Sequence, residues 1–306
     1  GAAHSARRGE RRHLPAAPLM AWWWLLAVIA ANWLALNFAI RRGLSAVRVA
    51  ETADPGDLPW REVRLPTANG KQLFAWFIPA AQGAPALVVM HGWGGNAGMM
   101  LPLVAPLHAA GYTLLLVAAR CHGSSDGDTF ASLPRFAEDI EAGLAWLRRQ
   151  AEVDPAQLGV IGHSVGAGAA LLAAIRQPAL RAVVSLAAFA HPATMMRRWV
   201  AALHIPYWPL GAYILVYVQH VIGYRFAAIA PCNTIARVGC PVLIVHGLED
   251  ATVPVSEARE IYAARASDAV ELLLIPGSHD DYGDAGRQMP SLLRFLKQAF
   301  KMPATG

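Results

Sequence analysis

Ser164 lies in Gly162-His163-Ser164-Val165-Gly166, a G-x-S-x-G pattern preceded by the apolar run Leu158–Ile161 and followed by the helix-like run Ala167–Arg176. A glycine-rich start to any αβ unit could carry the same letters, but strand, tight turn and helix together are the setting a nucleophilic serine needs. The glycines remove side chains where the turn is strained and the helix packs close. The hydroxyl then stands at a helix amino terminus, whose partial positive charge favours a developing anion. A serine is a poor nucleophile without a base. Of eleven histidines, His279 is best placed, in Pro276-Gly277-Ser278-His279-Asp280 directly after the apolar run Val270–Ile275. An orienting carboxylate is supplied by Asp250, which follows the run Pro241–Val245, with Glu249 as its adjacent competitor. The chain order Ser164, Asp250, His279 is one in which such groups recur.

An anion site is expected in Met90-His91-Gly92-Trp93-Gly94-Gly95-Asn96, whose bare backbone can point N–H groups at an oxyanion. The Trp93 and Val165 amides are the preferred pair, with Gly94 as the alternative to Trp93. His91 is read as a histidine that braces this loop.

The elements that must position these residues follow from the apolar pattern. Glu62–Pro66 and Gln72–Ile78 flank Asn69-Gly70, a hairpin signal. Ala86–Met90, Tyr112–Ala118, Leu158–Ile161, Ala182–Leu186, Pro241–Val245 and Val270–Ile275 are apolar at nearly every position, which suits strands covered on both faces. Helical stretches at Pro134–Gln150, Ser164–Arg176, Ser256–Ala266 and Ala285–Phe300 fall between them. This β-α alternation predicts a mostly parallel, doubly wound sheet introduced by an antiparallel hairpin. In such a sheet the loops bearing Ser164, Asp250 and His279 open on one carboxyl edge, where ligands bind. About fifty residues between Leu186 and Pro241 break the alternation. Trp199 to Tyr224 carries no charge, yet Pro206, Pro209, Gly211 and His204 interrupt it, so an inserted lid is expected there rather than a second membrane span.

The chain has 306 residues, 55% hydrophobic and only 15% charged, which excludes disorder for most of it. The net charge of +5 lies at the amino end: residues 1–50 hold seven Arg against Glu10, whereas residues 51–306 carry 19 basic and 20 acidic side chains. The folded body therefore has no net basic charge with which to hold nucleic acid. Three cysteines without CxxC spacing suggest small buried side chains, and neither a disulfide framework nor a metal site. Leu19 to Ile40 is 22 residues without a charge, long enough to cross about 30 Å of hydrocarbon. Trp22, Trp23 and Trp24 mark one interface, and Arg41 and Arg42 close the other. A retained anchor is expected over a signal peptide, whose apolar region runs about 7–15 residues. The flanking Arg are balanced, four before and three after, so charge sets no orientation. The expected organisation is a basic segment at 1–18, a transmembrane helix at 19–42, a linker at 43–59 and one catalytic domain at 60–306, with its cap inserted at about 190–231.

Taken together, the G-H-S-x-G, H-G-x-G-G-N, H-G-x-x-D-x-x-V-P and G-S-H motifs resemble the α/β-hydrolase superfamily over about residues 60–302. The resemblance implies an eight-stranded mostly parallel sheet with helices on both faces, Ser164 as nucleophile, His279 as base, Asp250 as acid and the 190–231 stretch as a cap. Arg120-Cys121-His122-Gly123-Ser124-Ser125 is similar to the D-x-R-G-H-G-x-S segment of that family. Ala118 stands where an Asp is usual and Cys121 where a Gly is usual, departures that bear on how this loop is braced. The expected activity is hydrolysis of carboxylic esters with apolar acyl groups through an acyl-serine. His163, Trp199, Tyr207 and Trp208 are the expected substrate contacts, and no metal or organic cofactor is implied. Thioesters or peptides could use the same residues. A non-catalytic binding protein of this fold would ordinarily lack one of the three.

Overall fold

The computed structural model describes residues 16–280 and 285–301. The four arginines at positions 7, 8, 11 and 12, expected in the basic segment, lie outside the described residues. Chain order runs α1 (Ala16–Gly43), β1 (Arg61–Thr67), β2 (Lys71–Ile78), β3 (Ala84–Met90), α2 (Val104–Ala109), β4 (Thr113–Val117), α3 (Leu133–Leu147), β5 (Val153–His163) and α4 (Val165–Arg176). It continues through β6 (Ala182–Leu186), α5 (Pro192–Ala202), α6 (Ala212–Ile222), α7 (Phe226–Ile229), α8 (Pro231–Thr234), β7 (Val242–Gly247), α9 (Val255–Ala263), β8 (Val270–Ile275) and α10 (Ala285–Lys301).

The eight strands form one sheet in the order β1-β2-β4-β3-β5-β6-β7-β8. Pairing is antiparallel from β1 through β2 to β4 and parallel everywhere else. The continuous apolar runs have the expected cause. In β3, Ala86, Val88 and Met90 join the apolar layer on one face, while Leu87 and Val89 join the layer on the other. A strand buried on both faces keeps no polar alternation. The pattern relaxes only at the rim: in β8, Glu271 is exposed and Leu272 to Leu274 are half-buried. β5 begins earlier than its apolar run, because Val153 pairs with Ala84 before an irregularity that brings Leu158 opposite Ala86.

α3 and α4 pack together on one face of the sheet, and small residues let them approach. A Cβ at Gly168 of α4 would come within 2.9 Å of the Leu133 side chain. The other face is covered by α2 and by α10, which contributes Met289, Leu292, Phe295, Leu296 and Ala299. Between β6 and β7 the chain builds α5, a kinked turn at Tyr207–Gly211, α6 and the short α7. The uncharged stretch 199–224 is thus broken into short pieces, none of them a helix long enough to cross a membrane. Glu257 of α9 fastens this insert to the body: it accepts a hydrogen bond from the Ala190 N–H at 2.7 Å and pairs with Arg198 of α5.

Among the described residues, α1 is the one helix long and apolar enough to cross a membrane, with a 22-residue stretch from Trp22 to Gly43 of mean hydropathy 1.7. Its carboxyl end does not hang free. Tyr213 of α6 donates to Asn37 Oδ1 at 2.8 Å, and Arg41 Nε donates to the Tyr217 hydroxyl at 2.9 Å. The following segment, expected only as a linker, is docked on the body. The Leu44 carbonyl accepts from Ala131 N–H at 2.8 Å, and Asn96 Nδ2 donates to the Val49 and Ala50 carbonyls at 3.0 Å. The sequence of the linker gives no sign of this, since the contacts run to loops distant in sequence.

Candidate active site

β5 ends at His163 and α4 begins at Val165, so Ser164 must make the whole turn between strand and helix. Its backbone sits at φ 54°, ψ −116°, a conformation that costs an L-residue of order 1–3 kcal/mol. The surrounding glycines make that turn sterically possible. A Cβ on Gly162 would lie 2.2 Å from the Gly166 carbonyl oxygen, and one on Gly166 would lie 2.4 Å from the His91 carbonyl oxygen. Neither contact survives any side chain, so both positions are closed to residues other than glycine.

Ser164, Asp250 and His279 follow β5, β7 and β8, and the loop bearing Trp93 follows β3. All four open at the carboxyl edge of the parallel strands. Ser164 Oγ lies 3.0 Å from His279 Nε2, and His279 Nδ1 lies 2.7 Å from Asp250 Oδ2. An ionised carboxylate only accepts, so Nδ1 carries the imidazole proton and Nε2 is left to accept from the serine hydroxyl. Burial pushes the Asp250 carboxyl up, but hydrogen bonds from His246, His279 and the Val253 N–H outweigh it and hold the group well below the usual carboxylate range. Asp250 Oδ1 accepts from the Thr252 and Val253 N–H groups at 2.9 and 2.7 Å, which fixes the carboxylate plane. The adjacent candidate Glu249 points elsewhere and accepts from the Gly277 N–H at 2.5 Å. The geometry thus brings Asp250, and not Glu249, to the imidazole.

Two histidines outside this chain of bonds support it. His246, which the sequence pattern did not single out, is buried with Nε2 2.7 Å from the Val253 carbonyl and 3.3 Å from Asp250 Oδ2. Its four-residue spacing to Asp250 in His246-Gly247-Leu248-Glu249-Asp250 was the available signal. His163 was expected to touch substrate, but the cavity lining among the described residues does not include it. Instead its Nε2 donates to the His279 carbonyl at 3.0 Å and so holds the loop that carries His279. Burial, with the neighbouring His279 next in effect, lowers the His163 imidazole to about 4.

Ser164, Val165 and Trp93 line one apolar cavity of about 110 Å³, together with Phe189, Met195 and Trp199 among others. Val165 is the first residue of α4, where backbone N–H groups lack helical acceptors. Trp199 stacks edge-on against Trp93, ring centres 5.9 Å apart. Tyr207 and Trp208, the other expected contacts, lie outside this cavity at 48% and 79% exposure. The extended backbone of Trp208, φ −110° and ψ 129°, interrupts the Tyr207–Gly211 turn and leaves both rings at the surface.

His91 braces its loop as read: Nε2 accepts from the Ala119 N–H at 3.0 Å and Nδ1 donates to the Gly92 carbonyl at 2.6 Å. Burial drives this imidazole down to about 3. The 118–125 loop is braced despite its departures. The buried Arg120 guanidinium lies 2.7 Å from Asp139 and 2.5 Å from Glu138, both on α3, and Ser125 Oγ donates to the Ala118 carbonyl at 2.6 Å. Cys121 takes the left-handed φ of 66° where glycine would be easier. Of the three free cysteines, Cys121 and Cys240 are buried and Cys232 is half-buried. Donor atoms of His163, His279 and Asp280 lie within 4.8 Å of one another. Both ring nitrogens of His279 are already engaged by Asp250 and Ser164, which leaves that imidazole no lone pair for a metal while the chain of bonds is intact.

The pattern defining the family described as serine aminopeptidase, S33, matches residues 82–215. An uncharacterized protein of Mycobacterium tuberculosis is 30% identical over 243 residues, covering 78% of this chain and 79% of its own length. The solved esterase Pf2001 of Pyrococcus furiosus superposes with a TM-score of 0.69 at 22% identity, over 84% of this chain and 99% of that one. The chain belongs to the α/β-hydrolase superfamily. Est1E of Butyrivibrio proteoclasticus, solved with ferulic acid bound, shares the fold at a TM-score of 0.62 and 20% identity, over 78% of this chain and all of that one. The α/β-hydrolase sheet is therefore the frame on which Ser164, Asp250 and His279 are set, and the protein is a hydrolase of this type.

Proposed function

We propose that the protein is a serine hydrolase that cleaves carboxylic esters of apolar acyl groups, held on a membrane by α1 as a retained anchor. The observation that carries the reading is the continuous chain Asp250–His279–Ser164, at 2.7 and 3.0 Å, opening into a cavity lined almost wholly by apolar side chains. Ser164 Oγ attacks the ester carbonyl while its proton passes to His279 Nε2, and Asp250 stabilises the imidazolium. The tetrahedral anion rests on the Trp93 and Val165 N–H groups, each such donor contributing about 10²–10³ in rate. The imidazolium then gives its proton to the leaving alcohol, and an acyl-serine remains. Water, deprotonated by the same imidazole, releases the acid. In this reading the insert at 190–231 is the cap: its Met195 and Trp199 cover the acyl group.

The family match to serine aminopeptidases favours a second reading, cleavage of a peptide from its free amino terminus. Such a substrate brings an ammonium group, which an apolar site accepts only beside a carboxylate. Among the described residues no carboxylate lines the cavity at Ser164, so the ester reading is preferred. Turnover of matched acyl esters, thioesters and aminoacyl anilides tests this. Esters should lead, with rates rising as the acyl chain lengthens from two carbons. Faster cleavage of an anilide with a free amino group would overturn the choice.

A further inference from the structure

A second apolar cavity, of about 290 Å³, lies between α1 and the 190–231 insert. It is lined by Leu36, Ala39, Ile40 and Gly43 on the α1 side and by Leu203 and Ile214 on the insert side, among others. Leu44, Met196, Trp199 and Val218 line both this cavity and the one that holds Ser164. These four side chains therefore stand between the cavity at Ser164 and a hollow whose outer wall is α1. Two of them, Leu44 and Val218, belong to an apolar cluster with Val200, Ile214, Leu215 and Phe226 that joins the end of α1 to the insert.

The position of this hollow along α1 is set by counting. Arg41 and Arg42 end the apolar stretch and so mark the boundary between hydrocarbon and water. Leu36 to Gly43 spans about 10 Å at 1.5 Å per residue, so the mouth covers the outermost hydrocarbon and the boundary itself. Ester carbonyls of bilayer amphiphiles lie at that depth, with their acyl chains below. The insert exposes apolar side chains at the same place: Leu203 and Leu210, which line the hollow, are 69% and 36% exposed. The helix is held against the insert by the Asn37–Tyr213 and Arg41–Tyr217 hydrogen bonds, which satisfy its polar groups and fix the hollow's width.

We propose that the two cavities form one lateral passage along α1, through which the acyl chain of a bilayer-resident ester reaches Ser164 without leaving the membrane. The occupant is a long-chain acyl ester of an amphiphile, drawn from the leaflet in which the Arg41 end of α1 lies. The proposal rests on the reading of the site as an ester hydrolase. α1 is then a wall of the substrate path as well as an anchor. The residues shared by both cavities, Leu44, Met196, Trp199 and Val218, move aside as the chain passes.

The test uses the full chain in phosphatidylcholine vesicles, with methylumbelliferyl oleate in the bilayer and methylumbelliferyl acetate in the water. Ala39→Trp places an indole in the mouth, at a residue that lines this hollow and not the cavity at Ser164. Oleate turnover should fall at least tenfold while acetate turnover stays within twofold. Ala39→Leu, a smaller obstruction, should fall between. If oleate and acetate turnover fall together, or oleate turnover is unaffected by Ala39→Trp, the passage is overturned while the hydrolase reading stands. Absence of turnover of both esters by the wild type would instead refute the ester reading itself. Should Ala39→Trp convert a dimer in the vesicles to monomers with oleate turnover unchanged, the hollow is covered by a second copy and the proposal fails.

Discussion

Replacing Asp250 by Asn separates the electrical role of this side chain from its shape. The new amide keeps an oxygen to accept from the Thr252 and Val253 N–H groups, which lie 2.9 and 2.7 Å from Oδ1 of the aspartate, so the loop should hold its form. Its nitrogen, however, replaces Oδ2, which stands 2.7 Å from His279 Nδ1. A donor there forces the imidazole proton onto Nε2, which then cannot accept from Ser164 Oγ. Charge is lost as well: at an effective dielectric near 20, an imidazolium about 4 Å from a carboxylate is favoured by about 4 kcal/mol. The two effects together should lower kcat by about 10⁴, or about 5.5 kcal/mol on the barrier. Turnover of a p-nitrophenyl ester, beside far-ultraviolet circular dichroism to show that the variant is folded, measures this. Glu249→Gln is the control: its carboxylate meets the Gly277 N–H and not the imidazole, so activity should stay within a few-fold. A folded Asp250→Asn protein retaining a tenth of wild-type turnover would refute the reasoning.

Gly166→Ala drives a methyl group to 2.4 Å from the His91 carbonyl oxygen and 2.8 Å from that of Met90, both backbone atoms. It should cost about 3 kcal/mol or more and lower the urea midpoint, and an unchanged midpoint would contradict the packing described for the turn. His163→Gln tests the buried imidazole. The folded group stays neutral down to about 4, whereas the unfolded one charges near 6.5, so the unfolded chain takes up the proton first and the wild type loses stability as pH falls through that window. The stability advantage of wild type over His163→Gln should therefore shrink by about 2 kcal/mol between pH 7 and pH 5. Parallel pH curves for the two proteins would show that His163 is not held neutral.

The sheet was legible because burial on both faces leaves an unbroken apolar run, and Ala182–Leu186 and Val270–Ile275 coincide with β6 and β8. The three residues that meet at Ser164 were legible for a related reason: each stands in the loop after a parallel strand, and topology alone sends those loops to one edge. What escaped notice depends on contacts between distant segments. His163 reads as a pocket residue because it neighbours the serine, but alternation along β5 turns its ring toward the His279 loop. Tyr207 and Trp208 read as lid aromatics, yet the turn that carries them faces outward. Nothing in residues 44–51 announces that this stretch is docked against Asn96, Ala131 and Ser124, since its partners lie 46 or more positions away. The bracing of the 118–125 loop was likewise hidden, because Arg120 finds its carboxylates on α3.

The central claim is that Ser164 is a nucleophile made reactive by the imidazole beside it. Treating the purified full chain with a fluorophosphonate and mapping the adduct by mass spectrometry tests it directly. The account predicts a single stoichiometric phosphonyl group on Ser164, formed rapidly in the wild type and lost or greatly slowed in His279→Ala. Labelling at another residue, or an unlabelled Ser164 in folded protein, would contradict it.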